Sequence, residues 1–158
     1  MFTRNARLFL ALTAAMPLLF AACKDNNLVT PGNVVGTYNL TLFRGKTPPV
    51  VDTYQASDSS SDFPNGGTAT WTDGTLTLRS DGTFTEINSV TVAPTGAASH
   101  QSAFTSVGTY TSSGGTIVFS APAQNTSGAR NFTGTVTVNS ITYQESNGVG
   151  FDSFKYQR

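Results

Sequence analysis

Residues 74–84 read GTLTLRSDGTF, and this stretch sets the pattern for most of the chain. Leu76 and Leu78 alternate with threonine and arginine, which is typical of a β-strand with one buried face and one exposed face. Asp81-Gly82 follows at once. An Asp-Gly pair is a strong signal for a two-residue hairpin turn, because both residues tolerate positive φ. We therefore expect antiparallel strands on either side of this turn.

The chain after residue 33 repeats this alternation and shows no convincing 3.6-residue apolar period. Short strands joined by tight turns predict an all-β fold, an antiparallel up-and-down meander of about 8–10 strands that closes into a barrel. A β-sandwich is the alternative, and pairing of the first strand with the last would distinguish the two. The predicted strands cover residues 34–43, 49–56, 67–72, 75–79, 83–92, 104–111, 116–120, 131–138, 141–145 and 150–157.

Three segments qualify this strand prediction. Asp73-Gly74 is either a hairpin turn between strands 67–72 and 75–79 or a bulge within one longer strand, because glycine also marks bulges. Residues 57–67 and 93–102 are polar and long for hairpins. We expect extended loops in both places.

The N-terminal 22 residues are typical of a secretory signal. Arg4 and Arg7 form a short positive region, residues 8–20 (LFLALTAAMPLLF) form an apolar run, and Ala21 and Ala22 follow as small residues. The run is too short to span a membrane and has the composition of a signal peptide. We expect residues 1–22 to form a signal helix that is removed, which leaves a mildly acidic chain.

Residues 19–23 (LFAAC) resemble the lipobox of bacterial lipoproteins, with phenylalanine where leucine is commonest. The resemblance implies cleavage between Ala22 and Cys23, a diacylglyceryl group on the Cys23 thiol and acylation of its amine. Two or more acyl chains, at about 0.8 kcal/mol per buried CH₂, would anchor the chain stably in a membrane. The alternative is an ordinary signal peptide whose mature protein happens to begin near a cysteine.

Residues 23–33 (CKDNNLVTPGN) then form the lipidated cysteine and a polar tether, and residues 34–158 form the barrel domain. Lys24 stands after the cysteine, where an aspartate commonly retains lipoproteins at an inner membrane. In a bacterium with two membranes this favours the outer membrane, on its periplasmic or surface face.

Residues 35–40 (VGTYNL), which open the first strand, resemble the start of bacterial lipocalin-like domains. The resemblance continues in order through residues 44–49 (RGKTPP), 74–84, 108–111 (GTYT), 116–119 (TIVF) and 132–136 (FTGTV). It implies an up-and-down barrel with a cavity for a small apolar ligand.

The same resemblance implies a particular closure of one barrel end. In lipocalins a Gly-x-Trp motif in the first strand is covered by a basic residue from the last strand. Here Gly36 and Tyr38 occupy the motif, with tyrosine in place of tryptophan, and Lys155 or Arg158 would be the basic partner. Such a cation–π contact contributes about 0.5–2 kcal/mol.

Aromatic residues are the best candidates for both core and ligand contacts. Trp71 lies beside a turn among threonines, and we expect it to be exposed or to contact a ligand at a cavity mouth. The others are expected in the core, where each buries a large apolar area. These core candidates are Tyr38, Phe84, Tyr110, Phe119 and Phe132.

Signals for catalysis or metal binding are missing from the sequence. His100 is the single histidine, no Gly-x-Ser-x-Gly motif accompanies it, and we expect it in a solvated loop. Glu86 and Glu145 are the two glutamates, and we expect both to face solvent on strands. The aspartate spacing fits no EF-hand loop. We therefore expect no enzymatic activity, no metal and no cofactor.

Composition narrows the remaining function classes. The 158 residues carry nine basic and nine acidic side chains, a balance that argues against nucleic-acid binding. A single cysteine permits no internal disulfide. We expect a membrane-anchored lipoprotein of the cell envelope that binds a small apolar ligand or serves as a non-enzymatic envelope component. The alternative is a β-sandwich that binds carbohydrate or protein at a surface.

Overall fold

The computed structural model describes residues 34–58, 62–122, 129–146 and 150–158. No helix among them is long and apolar enough to cross a membrane. Apart from one short 3₁₀ turn, Ala56–Asp58, the regular structure in these residues is β-strand. The strands are β1 (Gly36–Phe43), β2 (Val50–Tyr54), β3 (Gly67–Leu78), β4 (Thr83–Pro94), β5 (His100–Ser113), β6 (Thr116–Ala121), β7 (Arg130–Val136), β8 (Ser140–Ser146) and β9 (Phe151–Gln157).

The first strand closes the sheet into a barrel. Successive strands from β2 to β9 pair antiparallel, and β1 pairs with β9 on one side and with β3 on the other. Leu40 lies opposite Tyr156 in β9, and Tyr38 lies opposite Leu76 in β3. The ring therefore contains eight strands, with β2 as an extra strand outside it. The predicted all-β barrel is confirmed, and the β-sandwich alternative is wrong.

Strand β3 is one long strand that changes partner halfway. Its first half, from Gly67 to Trp71, pairs with β2, and its second half, from Thr75, pairs with β1. The register against β4 shifts between Trp71 and Asp73. The prediction of separate strands at 67–72 and 75–79 is therefore wrong, and the alternative of one longer strand is confirmed. The extra residue is Thr72, directly before Asp73-Gly74, and both residues of that pair lie opposite residues of β4. Glycine at position 74 leaves room for the Asn88 side chain, because a Cβ there would lie 2.1 Å from Oδ1 of Asn88.

The expected long loop at residues 93–102 is also wrong. Strand β4 continues to Pro94, β5 begins at His100, and His100 pairs with Val92. The small and hydroxylated residues at 93–102 show no apolar alternation, so the sequence carries no strand signal there. Their backbones nevertheless lengthen the hydrogen-bonded pairing of β4 with β5. His100 is exposed, but it lies on a strand rather than in a loop. Part of the other expected loop, residues 59–61, lies outside the described residues.

Aromatic side chains fill most of the barrel interior. All five residues predicted for the core (Tyr38, Phe84, Tyr110, Phe119 and Phe132) are buried. The Phe84 ring lies 5.0 Å from that of Phe119, which lies 4.7 Å from that of Phe132, measured between centroids. Burying a phenylalanine side chain contributes about 1.5–3 kcal/mol. This aromatic cluster is therefore a principal source of stability.

Tyr38 and Arg158 close one end of the barrel. The Arg158 Cζ atom lies 4.7 Å from the centroid of the Tyr38 ring, and its Nη2 donates to Tyr38 Oη at 2.8 Å. Tyr38 Oη in turn donates to the carbonyl of Val34 at 2.7 Å. A Cβ at Gly36 would come within 3.3 Å of Arg158 Nη1, so glycine leaves room for the guanidinium. Lys155 lies opposite Thr142, earlier in β9.

Removing the Arg158 side chain should loosen this end. Arg158→Ala removes the cation–π contact and the hydrogen bond to Tyr38, so we expect a loss of about 1–2 kcal/mol in the free energy of unfolding. Lys155→Ala removes a cation three residues earlier, within β9, and should cost no more than about 0.5 kcal/mol. Urea unfolding of both variants measures the difference, and equal losses would contradict the role of Arg158.

Candidate functional site

The barrel end opposite Tyr38 and Arg158 opens into a cavity of about 460 Å³, which we call the mouth cavity. Its walls come from six strands, and most of the lining residues continue the inward-facing set of their strands. The lining residues are Trp71, Glu86, Asn88, Phe104, Thr105, Ser106, Arg130, Glu145, Asp152 and Phe154. Polar and aromatic side chains therefore meet in one space.

Glu86 lies on the inner side of this cavity and is only 2% exposed. Its Oε1 accepts hydrogen bonds from the hydroxyl of Tyr143, from the hydroxyl of Tyr156 at 2.7 Å and from Nδ2 of Asn88 at 2.8 Å. The expectation that Glu86 faces solvent is wrong. Successive side chains of a strand point to opposite faces, so residue 86 lies on the same inward face of β4 as Phe84. This alternation is the feature of the sequence that could have predicted the burial of Glu86.

The two tyrosines around Glu86 remain protonated donors. Burial raises the pKa of the Tyr143 hydroxyl, and the neighbouring Glu86 carboxylate raises it further. Burial and the same carboxylate also raise the pKa of Tyr156. A buried carboxylate is costly unless it is hydrogen-bonded, so these two hydroxyls are what allow Glu86 to lie inside the barrel.

Arg130 lies between Glu145 and the hydrogen-bonded group around Glu86. Its Nη2 donates to both carboxylate oxygens of Glu145 and lies 4.0 Å from Oε2 of Glu86. Its Nη1 donates to Oγ of Ser106 at 3.0 Å. Glu145 is partly buried in this ion pair, so the expectation that it faces solvent is also wrong.

The ion pair shifts the pKa of both partners. Burial raises the pKa of the Glu145 carboxyl, and Arg130 partly offsets that rise. Burial lowers the pKa of Arg130, but its hydrogen bonds and charge interaction with Glu145 outweigh burial, so the pKa is raised overall. The Arg130 guanidinium thus offsets part of the cost of burying the Glu145 carboxylate.

The Arg130–Glu145 pair also spans a gap in the barrel wall. Among the described residues, β7 and β8 pair only from Gly134 to Val136. A second opening lies where the two strands diverge, and we call it the lateral gap. It shares Arg130 and Glu145 with the mouth cavity and has Phe151 at its edge. The ion pair therefore stands between the two openings.

Aromatic rings form the outer wall of the mouth cavity. Trp71 stacks between Phe43, at a centroid distance of 4.3 Å, and Phe104, at 5.5 Å. Phe104 is 52% exposed, and Phe154 meets the edge of Trp71 at 6.2 Å. The indole N–H of Trp71 is buried without a hydrogen-bond partner. The structure thus places Trp71, the sequence candidate for ligand contact, in the wall of the cavity.

The rim is fixed by a second arginine. Arg44 Nε donates to Oδ1 of Asp152 at 2.5 Å, and its Nη1 donates to Oδ1 of Asp52 at 2.6 Å. Asp52 lies on β2 and Asp152 on β9, so one guanidinium ties the extra strand to the barrel. Asp152 also lines the mouth cavity.

The remaining candidates from the sequence do not contribute to the mouth cavity. The described part of the chain contains no group of three or more His, Cys, Asp or Glu side chains that could hold a metal ion. The exposed His100 is not part of the cavity lining. The signal segment, the cleavage site at Ala22, the lipidation site at Cys23 and the tether all lie outside the described residues.

Comparisons with known proteins show no family. No protein-family model matches the chain, and no curated protein is significantly similar to it. Among solved structures, the crystal structure of the wild-type fluorescent protein UnaG matches 82% of this chain and 99% of its own, with 11% sequence identity and a TM-score of 0.33. A likeness this distant supports no inference about a ligand. The assignment of a closed barrel rests on the strand pairing itself.

Alkaline titration tests the environment of the tyrosines. The chain has five tyrosines, and burial raises the pKa of every one. We expect phenolate absorbance of the native protein to develop above pH 10, whereas the protein in urea should titrate at about 10. Above pH 10 the native state then holds more protons than the unfolded state, so the free energy of unfolding should fall as pH rises. A native tyrosine that titrates at about 10 would contradict this.

Proposed function

We propose that this chain is a lipid-anchored lipoprotein of the bacterial cell envelope whose barrel binds a small ligand in the mouth cavity and catalyses no reaction. The cavity is the observation that carries the proposal. One barrel end is closed by Tyr38 and Arg158, and the other opens into about 460 Å³ of space. Small-molecule sites typically occupy about 300–1,000 Å³.

The lining suits an amphipathic ligand. Trp71 and Phe104 supply apolar surface at the outer wall, and Glu86 and Arg130 supply charge deeper in the cavity. A wholly apolar ligand, as the lipocalin resemblance implied, would remove water from these charged groups without replacing its hydrogen bonds, at a cost in free energy. A ligand with one polar end and one apolar end would satisfy both parts of the lining.

The position of Val34, where the proposed tether would join the barrel, supports access to the cavity. The described chain begins at Val34, which is buried at the closed end and accepts a hydrogen bond from Tyr38. A tether that runs from Cys23 therefore joins the barrel at the end opposite the mouth cavity. Anchoring through Cys23 would leave the mouth free to exchange ligand, and Lys24 favours the outer membrane as the site of anchoring.

Native mass spectrometry of the chain purified from its host under gentle conditions tests ligand binding. We expect a co-purifying small molecule on the unaltered protein. Phe104→Ala should reduce its occupancy, because Phe104 lines the mouth cavity. Phe151→Ala is the matched control, since this exposed phenylalanine borders the lateral gap instead. An empty unaltered protein would contradict ligand binding and favour a structural role in the envelope.

Intact-mass analysis tests the anchor separately. We expect the mature chain to begin at Cys23 and to carry a diacylglyceryl group on its thiol. A Cys23→Ser variant has no thiol to modify, so it should retain residues 1–22 and lack the lipid. An unmodified Cys23, or a mature chain that begins elsewhere, would contradict lipidation and leave the proposal for the barrel standing.

A further inference from the structure

The mouth cavity carries an excess of negative charge. Glu86, Glu145 and Asp152 line it, against the single guanidinium of Arg130. Arg44 adds a positive charge at the rim, but it bridges Asp152 and Asp52 and so brings a further carboxylate with it. These six side chains therefore sum to a formal charge of two negative units.

The positive charge inside the cavity, the guanidinium of Arg130, already has hydrogen-bond partners. Arg130 Nη2 donates to both oxygens of Glu145 and lies 4.0 Å from Oε2 of Glu86, beyond hydrogen-bond distance. Glu86 Oε1 is held by two tyrosine hydroxyls and one amide, and all of these donors are neutral. Arg130 is therefore the one cationic group near the Glu86 carboxyl among the lining residues, and its hydrogen bonds go to Glu145 and Ser106 instead.

The surroundings of Glu86 favour a positively charged ligand. Charge interactions are stronger in a partly water-excluded cavity than in bulk water, so a cation that reaches Glu86 is attracted and an anion is repelled. The rings of Trp71, Phe104 and Phe154 offer apolar surface beside the carboxylates. Aromatic faces carry partial negative charge and also favour cations over anions.

We propose that the mouth cavity selects small organic cations, with the charged nitrogen beside Glu86 and Glu145 and the apolar group against Phe104. This inference rests on the proposed ligand-binding function. It names a ligand class that differs from the apolar molecule implied by the sequence resemblance. A carboxylate ligand would compete with Glu145 for Arg130, the one cationic group among the lining residues.

The single tryptophan of the chain provides the reporter. Trp71 lines the cavity, so its fluorescence can be followed while the purified full chain is titrated with three probes of similar size. The probes are phenethylamine, phenethyl alcohol and hydrocinnamate, which are cationic, neutral and anionic at neutral pH. We expect the amine to bind at least about tenfold more tightly than the alcohol, and the carboxylate to bind most weakly.

Charge-neutralising variants test which groups select the cation. Glu86→Gln and Glu145→Gln should each weaken amine binding at least about fivefold while alcohol binding changes little. Glu145→Gln should also strengthen hydrocinnamate binding, because it releases Arg130. Asp81→Asn is the matched control at the closed end. Asp81 accepts both hydrogen bonds from Thr83 on Oδ1, which asparagine retains.

The outcomes separate this inference from the proposed function. If the alcohol or the carboxylate binds as tightly as the amine, selection of cations is overturned, while ligand binding by the cavity stands. If Asp81→Asn weakens amine binding as much as the glutamate variants do, the assignment to Glu86 and Glu145 is overturned. If no probe binds, the inference is overturned as well, and native mass spectrometry then decides independently whether the barrel carries a ligand.

Discussion

The buried carboxylate of Glu86 determines how the open half of the barrel is built. A charge inside a protein is tolerated only where donors replace its water, and here the donors come from β8 and β9 as well as from β4 itself. Tyr143 and Tyr156 thus serve the apolar core with their rings and Glu86 with their hydroxyls. Removing either hydroxyl would leave a buried acceptor with fewer partners, and this one side chain thus links three strands inside the barrel.

The two halves of the barrel differ because of what lies beside this carboxylate. Toward the closed end, side chains such as Phe84 and Phe119 pack against each other, and Arg158 covers the ring of Tyr38. Toward the open end the inward positions carry Glu86 and Arg130, which line the mouth cavity. The charged groups lie beside open space there, whereas the aromatic rings of the closed half pack against one another.

The barrel was predictable from sequence because its signals are local. Alternation at residues 75–79 and the Asp81-Gly82 turn depend only on neighbours along the chain. The failures involve partners distant in sequence. Glu86 shares the inward parity of Phe84, yet only tyrosines 57 and 70 residues away make its burial possible. The exchange of β2 for β1 as the neighbour of β3 also involves residues far apart in sequence, and no local pattern records it.

The central claim is that the mouth cavity is a ligand site organised around the carboxylate of Glu86. A crystal structure of the chain with phenethylamine tests it most directly. We expect electron density for the amine inside the cavity, with its nitrogen within about 3.2 Å of a carboxylate oxygen of Glu86 or Glu145 and its ring against Phe104. A cavity that holds only ordered water while the amine binds elsewhere, or not at all, would show that Glu86 does not organise a ligand site.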